Sequence, residues 1–128
     1  MKVLFDTHAL AWWLMDSPRL SLAARRVVSD PGNTIFASPV SAFEIATKWR
    51  IGKWPTAAIL VADFEGYMAR QNFTLLPVTA AHALRGGSMA GEHRDPFDRL
   101  LAGQSLVEDL PLLTSDREFR AFGVEVVW

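Results

Sequence analysis

Short apolar runs set off by turn residues dominate the pattern along the chain. "KVLF" (2–5), "TIFAS" (34–38), "FTLLPV" (73–78), "PLLT" (111–114) and "VEVVW" (124–128) are too short for helices and read as strands. Runs apolar at successive positions are what a parallel strand covered on both faces requires. Between them lie longer segments that read as helices. "HALAWWLM" (8–15) is closed by Asp16-Ser17-Pro18, and "SLAARRVVSD" (21–30) by Pro31-Gly32-Asn33. Pro39 opens a helix through "VSAFEIATKWRIG", with Gly52 as its terminator. "AAILVADFEGYMARQ" (57–71) is the next helix; Thr79 then caps "AAHALR", which Gly86-Gly87 ends. Another helix starts at Pro96, and "DREFRAF" (116–122) is a short turn before the last strand. Strands alternating with helices predict an α/β fold with a mostly parallel central sheet. Ligands of such sheets bind beyond the carboxyl ends of the strands. Asp6, directly after "KVLF", and Asp116, two residues after "PLLT", are therefore expected on the functional edge.

Length and composition narrow the choices. The 128 residues are expected to form one domain, 1–128, since domains run to roughly 100–200 residues. With no cysteine, thiol catalysis, cysteine-based zinc sites and iron–sulfur clusters are excluded. The same absence fits a reducing cytoplasm. No signal peptide is visible, and the longest apolar runs, such as "ALAWWLM", fall well short of the ~18 residues a membrane span needs. A soluble, cytoplasmic chain without membrane contact is expected.

Thirteen basic and fourteen acidic residues leave a net charge of −1, too little for a binder that relies on a diffuse basic surface. Setting Asp6, Glu44, Asp95, Asp98 and Asp116 around cations, however, moves the balance of the remainder from −1 to +4, which leaves nucleic acid open as a partner. Five tryptophans suit either a partner surface or a well-filled core.

Each of those acids has an ordinary explanation. Asp95-Pro96-Phe97-Asp98 matches the preferred start of a helix, with Asp as cap, Pro at the first position and an acid close behind. Asp98 lies beside Phe97 and Leu100, near the face to be buried, where a carboxylate needs a partner. Asp6 can cap the helix after the first strand, and Asp116 the turn at "TSDREF". Glu44 has Lys48 four residues later, in the favourable order for an ion pair along a helix. At this point each acid stays open between cap and ligand, and only their joint placement at strand ends and helix starts carries weight.

Other signals are poorer. "HRD" (93–95) echoes a kinase catalytic loop, but leucine occupies position 100 where asparagine is needed. His8, His82 and His93 lack ligand spacing, which leaves solvent or packing roles. "RGGS" (85–88) lacks the lysine of a phosphate loop, and no GxSxG elbow occurs. Lys48, Arg50 and Lys53 form a basic run that is either a solvated helix end or a phosphate contact.

Four blocks, in order, carry a family likeness: "LFDTHALAWWL" (4–14), "SAFEIATKWRIGKW" (41–54), "HRDPFDRLLAGQS" (93–105) and "LLTSDREFRAFGVEVVW" (112–128). Together they span nearly all of the chain, and it resembles the PIN-domain ribonucleases, most closely the VapC-type toxins of toxin–antitoxin pairs. The resemblance implies a three-layer α/β/α fold. It places the family's acids on Asp6, Glu44, Asp98 and Asp116 as catalytic and metal-binding residues, with Asp95 a cap or outer neighbour. Thr114 or Ser115 would bind a phosphate or a ligand water. All-oxygen donors suit Mg²⁺ or Mn²⁺, and the chemistry implied is metal-assisted hydrolysis of RNA. The implied partners are an RNA such as a tRNA, a cognate antitoxin and a second copy of the chain. Phe43 stands where tryptophan is common, and Gly103 and Ser105 replace residues more often alanine, Gly103 being expected to loosen its helix.

Three alternatives remain. A HAD-like phosphatase needs a second aspartate two residues after the first, where this chain has His8. A receiver domain needs a phospho-accepting aspartate after a central strand, and "TLLPV" lacks one. A catalytically silent PIN-like binding domain is expected to lose an acid, whereas all four are present.

Overall fold

The computed structural model describes residues 1–92 and 95–128; His93 and Arg94 lie outside them. Five strands, β1 (Lys2–Phe5), β2 (Thr34–Ala37), β3 (Thr74–Leu75), β4 (Leu112–Leu113) and β5 (Val126–Val127), form one sheet in the order β3-β2-β1-β4-β5. Every pairing is parallel.

Successive strand residues point to opposite faces, and both faces are covered. From β1, Val3 and Phe5 enter one core and Leu4 the other; β2 sends Ile35 and Ala37 one way and Phe36 the opposite way. Helices α1 (Thr7–Leu14), α2 (Leu22–Ser29), α4 (Ala58–Ala62) and α5 (Phe64–Arg70) contribute Leu10, Val28, Leu60 and Met68 to the first core. Helix α7 (Pro96–Glu108) contributes Leu101 and Ala102 to the second, with Phe119 from the 3₁₀ segment Arg117–Phe122. Helix α3 (Pro39–Arg50) touches both, through Ile45 and Val40. This is the three-layer α/β/α arrangement, and the apolar runs are continuous because neither sheet face meets water.

Three expectations are corrected. The single helix over 57–71 is broken: α4 ends at Ala62, and Asp63, at φ −152° and ψ 60°, caps α5 by accepting from the Gly66 N–H at 3.1 Å. Strand "FTLLPV" shrinks to Thr74–Leu75 at the sheet edge, before Pro77. Gly86-Gly87 does not end its helix, since α6 runs Ala80–Ser88.

The glycines have another function. A Cβ at Gly86 would lie 2.2 Å from the Arg99 carbonyl oxygen, and one at Gly103 would lie 2.3 Å from that of His82. Helices α6 and α7 thus touch backbone to backbone, so Gly103 tightens the packing it was expected to loosen. His82 completes this contact: it is fully buried, its Nδ1 accepts from the Thr79 N–H, and its Nε2 lies 2.9 Å from Glu108 on α7. The packing role expected for histidine holds here, and α7, which carries Asp98, is firmly seated.

Candidate functional site

Strand order β3-β2-β1-β4-β5 reverses direction between β1 and β4, and the carboxyl ends of those two strands are the usual ligand crevice of an open sheet. Asp6 leaves β1 there in an extended conformation, and its Oδ1 accepts from the Ala9 N–H at 2.7 Å, capping α1. Its other oxygen, Oδ2, accepts from the hydroxyl of Thr114, which leaves β4 alongside. Burial pushes the Asp6 carboxyl up, against the lowering effect of these two donors. Asp6 is therefore both a cap and a buried acid at the switch point.

Helix α3 brings Glu44. Ser38 caps it by accepting from Val40 N–H, and Pro39 occupies its first turn. Ser41, three residues before Glu44 and so on the same face, meets the Thr7 hydroxyl at 2.9 Å and pins α3 against α1. Glu44 is 7% exposed, and its Oε2 lies 3.5 Å from Lys48 Nζ. Its Oε1 is buried with no hydrogen-bond partner among the described residues, and a polar atom left so costs about 1–3 kcal/mol, more when charged. Such an atom can take an ion or a water as partner.

Asp95 and Asp98 divide the two roles left open by sequence. Asp95 is exposed and its Oδ1 accepts from the N–H groups of Phe97 and Asp98, so it is the cap of α7. Asp98 is half-buried, and burial, then the charges of Asp95, Glu44, Asp6 and Asp116, push its carboxyl up to about 7. Four carboxylates from β1, α3, α7 and the end of β4 are therefore close enough for Asp98 to feel each of them. Asp116 caps the 3₁₀ segment through the Glu118 N–H at 2.9 Å, while its own N–H donates to Thr114 Oγ1.

Thr114 and Ser115 sit in different surroundings. The Thr114 hydroxyl, fully buried, donates to Asp6 and accepts from Asp116 N–H, so it ties the two acids together. Ser115 is exposed. Among the described residues no three His, Asp or Glu side chains are already closed into a cage for an ion.

Two neighbours of the acids were not singled out as members of the site. Lys48 Nζ lies 3.5 Å from Glu44 and 3.3 Å from His8 Nε2. Since an ammonium only donates, His8 Nε2 accepts, and His8 also packs against Trp12 at 6.0 Å between ring centroids. The "EIATK" spacing announced the pair with Glu44, but nothing local in the sequence announced His8.

The sequence profile of the PIN domain matches residues 3–125. Similar folds occur in VapBC2 from Rickettsia felis bound to a DNA fragment from their promoter (TM-score 0.71, 15% identity, covering 98% of this chain and 97% of that one). VapBC-1 from nontypeable Haemophilus influenzae is also similar (TM-score 0.68, 20% identity, 98% and 96% covered). So is FitAcB from Neisseria gonorrhoeae (TM-score 0.59, 19% identity, 98% and 96% covered). No curated protein sequence matches the chain significantly.

Proposed function

The chain belongs to the PIN-domain family, and from that membership we propose that it is a metal-dependent endoribonuclease of the VapC type, the toxin of a toxin–antitoxin pair. The observation that carries this is the electrostatics of Asp98: a half-buried carboxyl raised to about 7 by burial and by four other acids. A divalent cation among these carboxylates would offset their mutual repulsion.

Asp6, Glu44, Asp98 and Asp116 would hold Mg²⁺ or Mn²⁺, and the donor set fits, being all oxygen and including the unpartnered buried Oε1 of Glu44. Such an ion, when bound, supplies Lewis acidity at the scissile phosphate and eases deprotonation of a water. The protein's share is positioning. Thr114 and the Ala9 N–H hold both oxygens of Asp6, so its carboxylate has one orientation before any ligand arrives. Seated by the glycine contacts of α6 and α7, Asp98 faces it from another element. Lys48 offsets part of the charge at Glu44 and offers a cation beside the place where a phosphate would sit.

An antitoxin partner is supported by similar chains occurring in structures named VapBC and FitAcB. For a homodimer, the support is an apolar face on α3 and α7, where Phe43, 65% exposed, packs on Phe97 at 5.5 Å. Among the described residues no helix is long and apolar enough to cross a membrane; a cytoplasmic location is part of the proposal.

The test is incubation of purified protein with total RNA in Mg²⁺, Mn²⁺ or EDTA, mapping the new ends. Discrete ends that appear only with the ion are expected. RNA left intact under every condition would overturn the nuclease and leave a binding domain.

A further inference from the structure

Beside the carboxylates lies a cleft of about 280 Å³ with the opposite charge. It is bounded by α1, the residues just after it and the end of α3, and it brings together Arg19, Lys48, Lys53, His8, Trp12 and Trp54. Among the described residues no acidic side chain lines it. Arg19 and Lys53 are exposed, and among the described residues neither has an ion-pair partner. The cleft joins the acids directly, because Lys48 reaches Glu44 on one side and His8 on the other.

A cluster of carboxylates repels the phosphates on either side of any bond it acts on. A polynucleotide therefore needs cations next to the cluster, and tracks of cations with aromatic rings are how single strands are held without reading every base. We infer that this cleft is the subsite for the nucleotide flanking the scissile phosphate of a single-stranded RNA. Its base packs against the indoles of Trp12 and Trp54, and its phosphates meet Arg19, Lys48 and Lys53. The inference rests on the ribonuclease reading and extends it to the binding of substrate. An antitoxin helix docking through its apolar side would need a continuous apolar trough, whereas this lining has three cations and only Ala11 and Met15 as aliphatic side chains.

The experiment measures binding apart from cleavage. Anisotropy of a fluorescein-labelled oligouridylate is followed in EDTA with the full chain, Lys53→Glu, Arg19→Ala and Trp54→Phe, each first checked by circular dichroism for its fold. Lys53→Glu should weaken binding about tenfold or more, and each lost phosphate contact should flatten the slope of log affinity against log salt by about 0.7. Trp54→Phe, the conservative change for a ring packed on the core, should weaken binding less and leave the slope alone. In Mn²⁺, Lys53→Glu should raise KM and spare kcat. Folded variants that bind and cut as the parent does would overturn the subsite while the nuclease stands. The same holds if the variants keep RNA affinity but lose a co-expressed antitoxin. A parent chain that binds the oligonucleotide but never cuts RNA would instead remove the nuclease reading and leave the cleft as a binding site.

Discussion

Helices α1 and α7 both begin with a capping aspartate at the same end of the sheet, yet the two starts are built differently. At α1 one residue does everything: Asp6 caps the helix, is 6% exposed, and stands at the strand end beside Thr114. At α7 the work is divided, with exposed Asp95 holding the N–H groups and half-buried Asp98 facing the other acids. Where the chain leaves a buried strand directly into a helix there is room for one acid only. Helix α7 does not follow a strand, and its cap and candidate ligand separate by one helical turn. Substitutions at the first site should therefore mix stability with activity, and at the second they should not.

The largest effect is expected at Asp98. Asp98→Ala should take RNA cleavage below detection in a gel assay while the metal-free protein melts no lower than the parent, because a strained charge is removed. Asp6→Ala should be equally silent. In urea, however, it should sit below Asp98→Ala in stability, by about 0.5–2 kcal/mol for the lost cap. Equal stability of the two variants would break the contrast.

Gly103→Ala tests whether the seating of α7 matters. Alanine gains up to about 1 kcal/mol of helix propensity. Against that, a Cβ placed 2.3 Å from the His82 carbonyl oxygen is overpacking that costs typically 1–3 kcal/mol. The clash should win, lowering both the melting temperature and the cleavage rate as α7 shifts. A smaller effect is due at Asp95: Asp95→Ala should cost about 0.5–2 kcal/mol in urea and keep cleavage. A silent but fully stable Asp95→Ala would exchange the roles of the two aspartates.

A further effect is in the pH profile. Asp98 is raised from 3.8 to about 7, so between those values the folded, metal-free state holds a proton that the unfolded chain has released. Stability from this group is complete below pH 3.8 and is lost as pH rises through about 7. Thermal melts in EDTA should fall over that window, and Asp98→Asn should flatten the fall.

Much of this was legible in the chain. The central strands announced themselves because both sheet faces are covered there and "VLF" and "IFA" carry no polar residue. The acids at the ends of β1 and β4 followed from the same logic. Residues alone left Asp95 and Asp98 undecided, since a capping aspartate and a helix-dipole aspartate look alike in one dimension; burial separates them. Asp63 was missed as a helix break because the apolar pattern continues past it, and only its side-chain bond to the Gly66 N–H marks the restart. Gly86 and Gly103 looked like a stop and a weak spot, because the partner that requires them lies on the other helix. Nothing local announced that the Thr114 hydroxyl meets Asp6, a contact spanning 108 residues. The likeness to a family supplied the grouping of the acids; long-range contacts such as that of His8 with Lys48, 40 residues apart, had no local sign.

The central claim is that acids from four separate elements form one site for a divalent ion. Titration of Mn²⁺ into parent and Asp98→Ala near neutral pH, followed by electron paramagnetic resonance of the free ion, measures it without any RNA present. One or two saturable sites are expected in the parent, with most of that affinity lost in Asp98→Ala. Equal Mn²⁺ binding by the two proteins, or none by the parent, would contradict it.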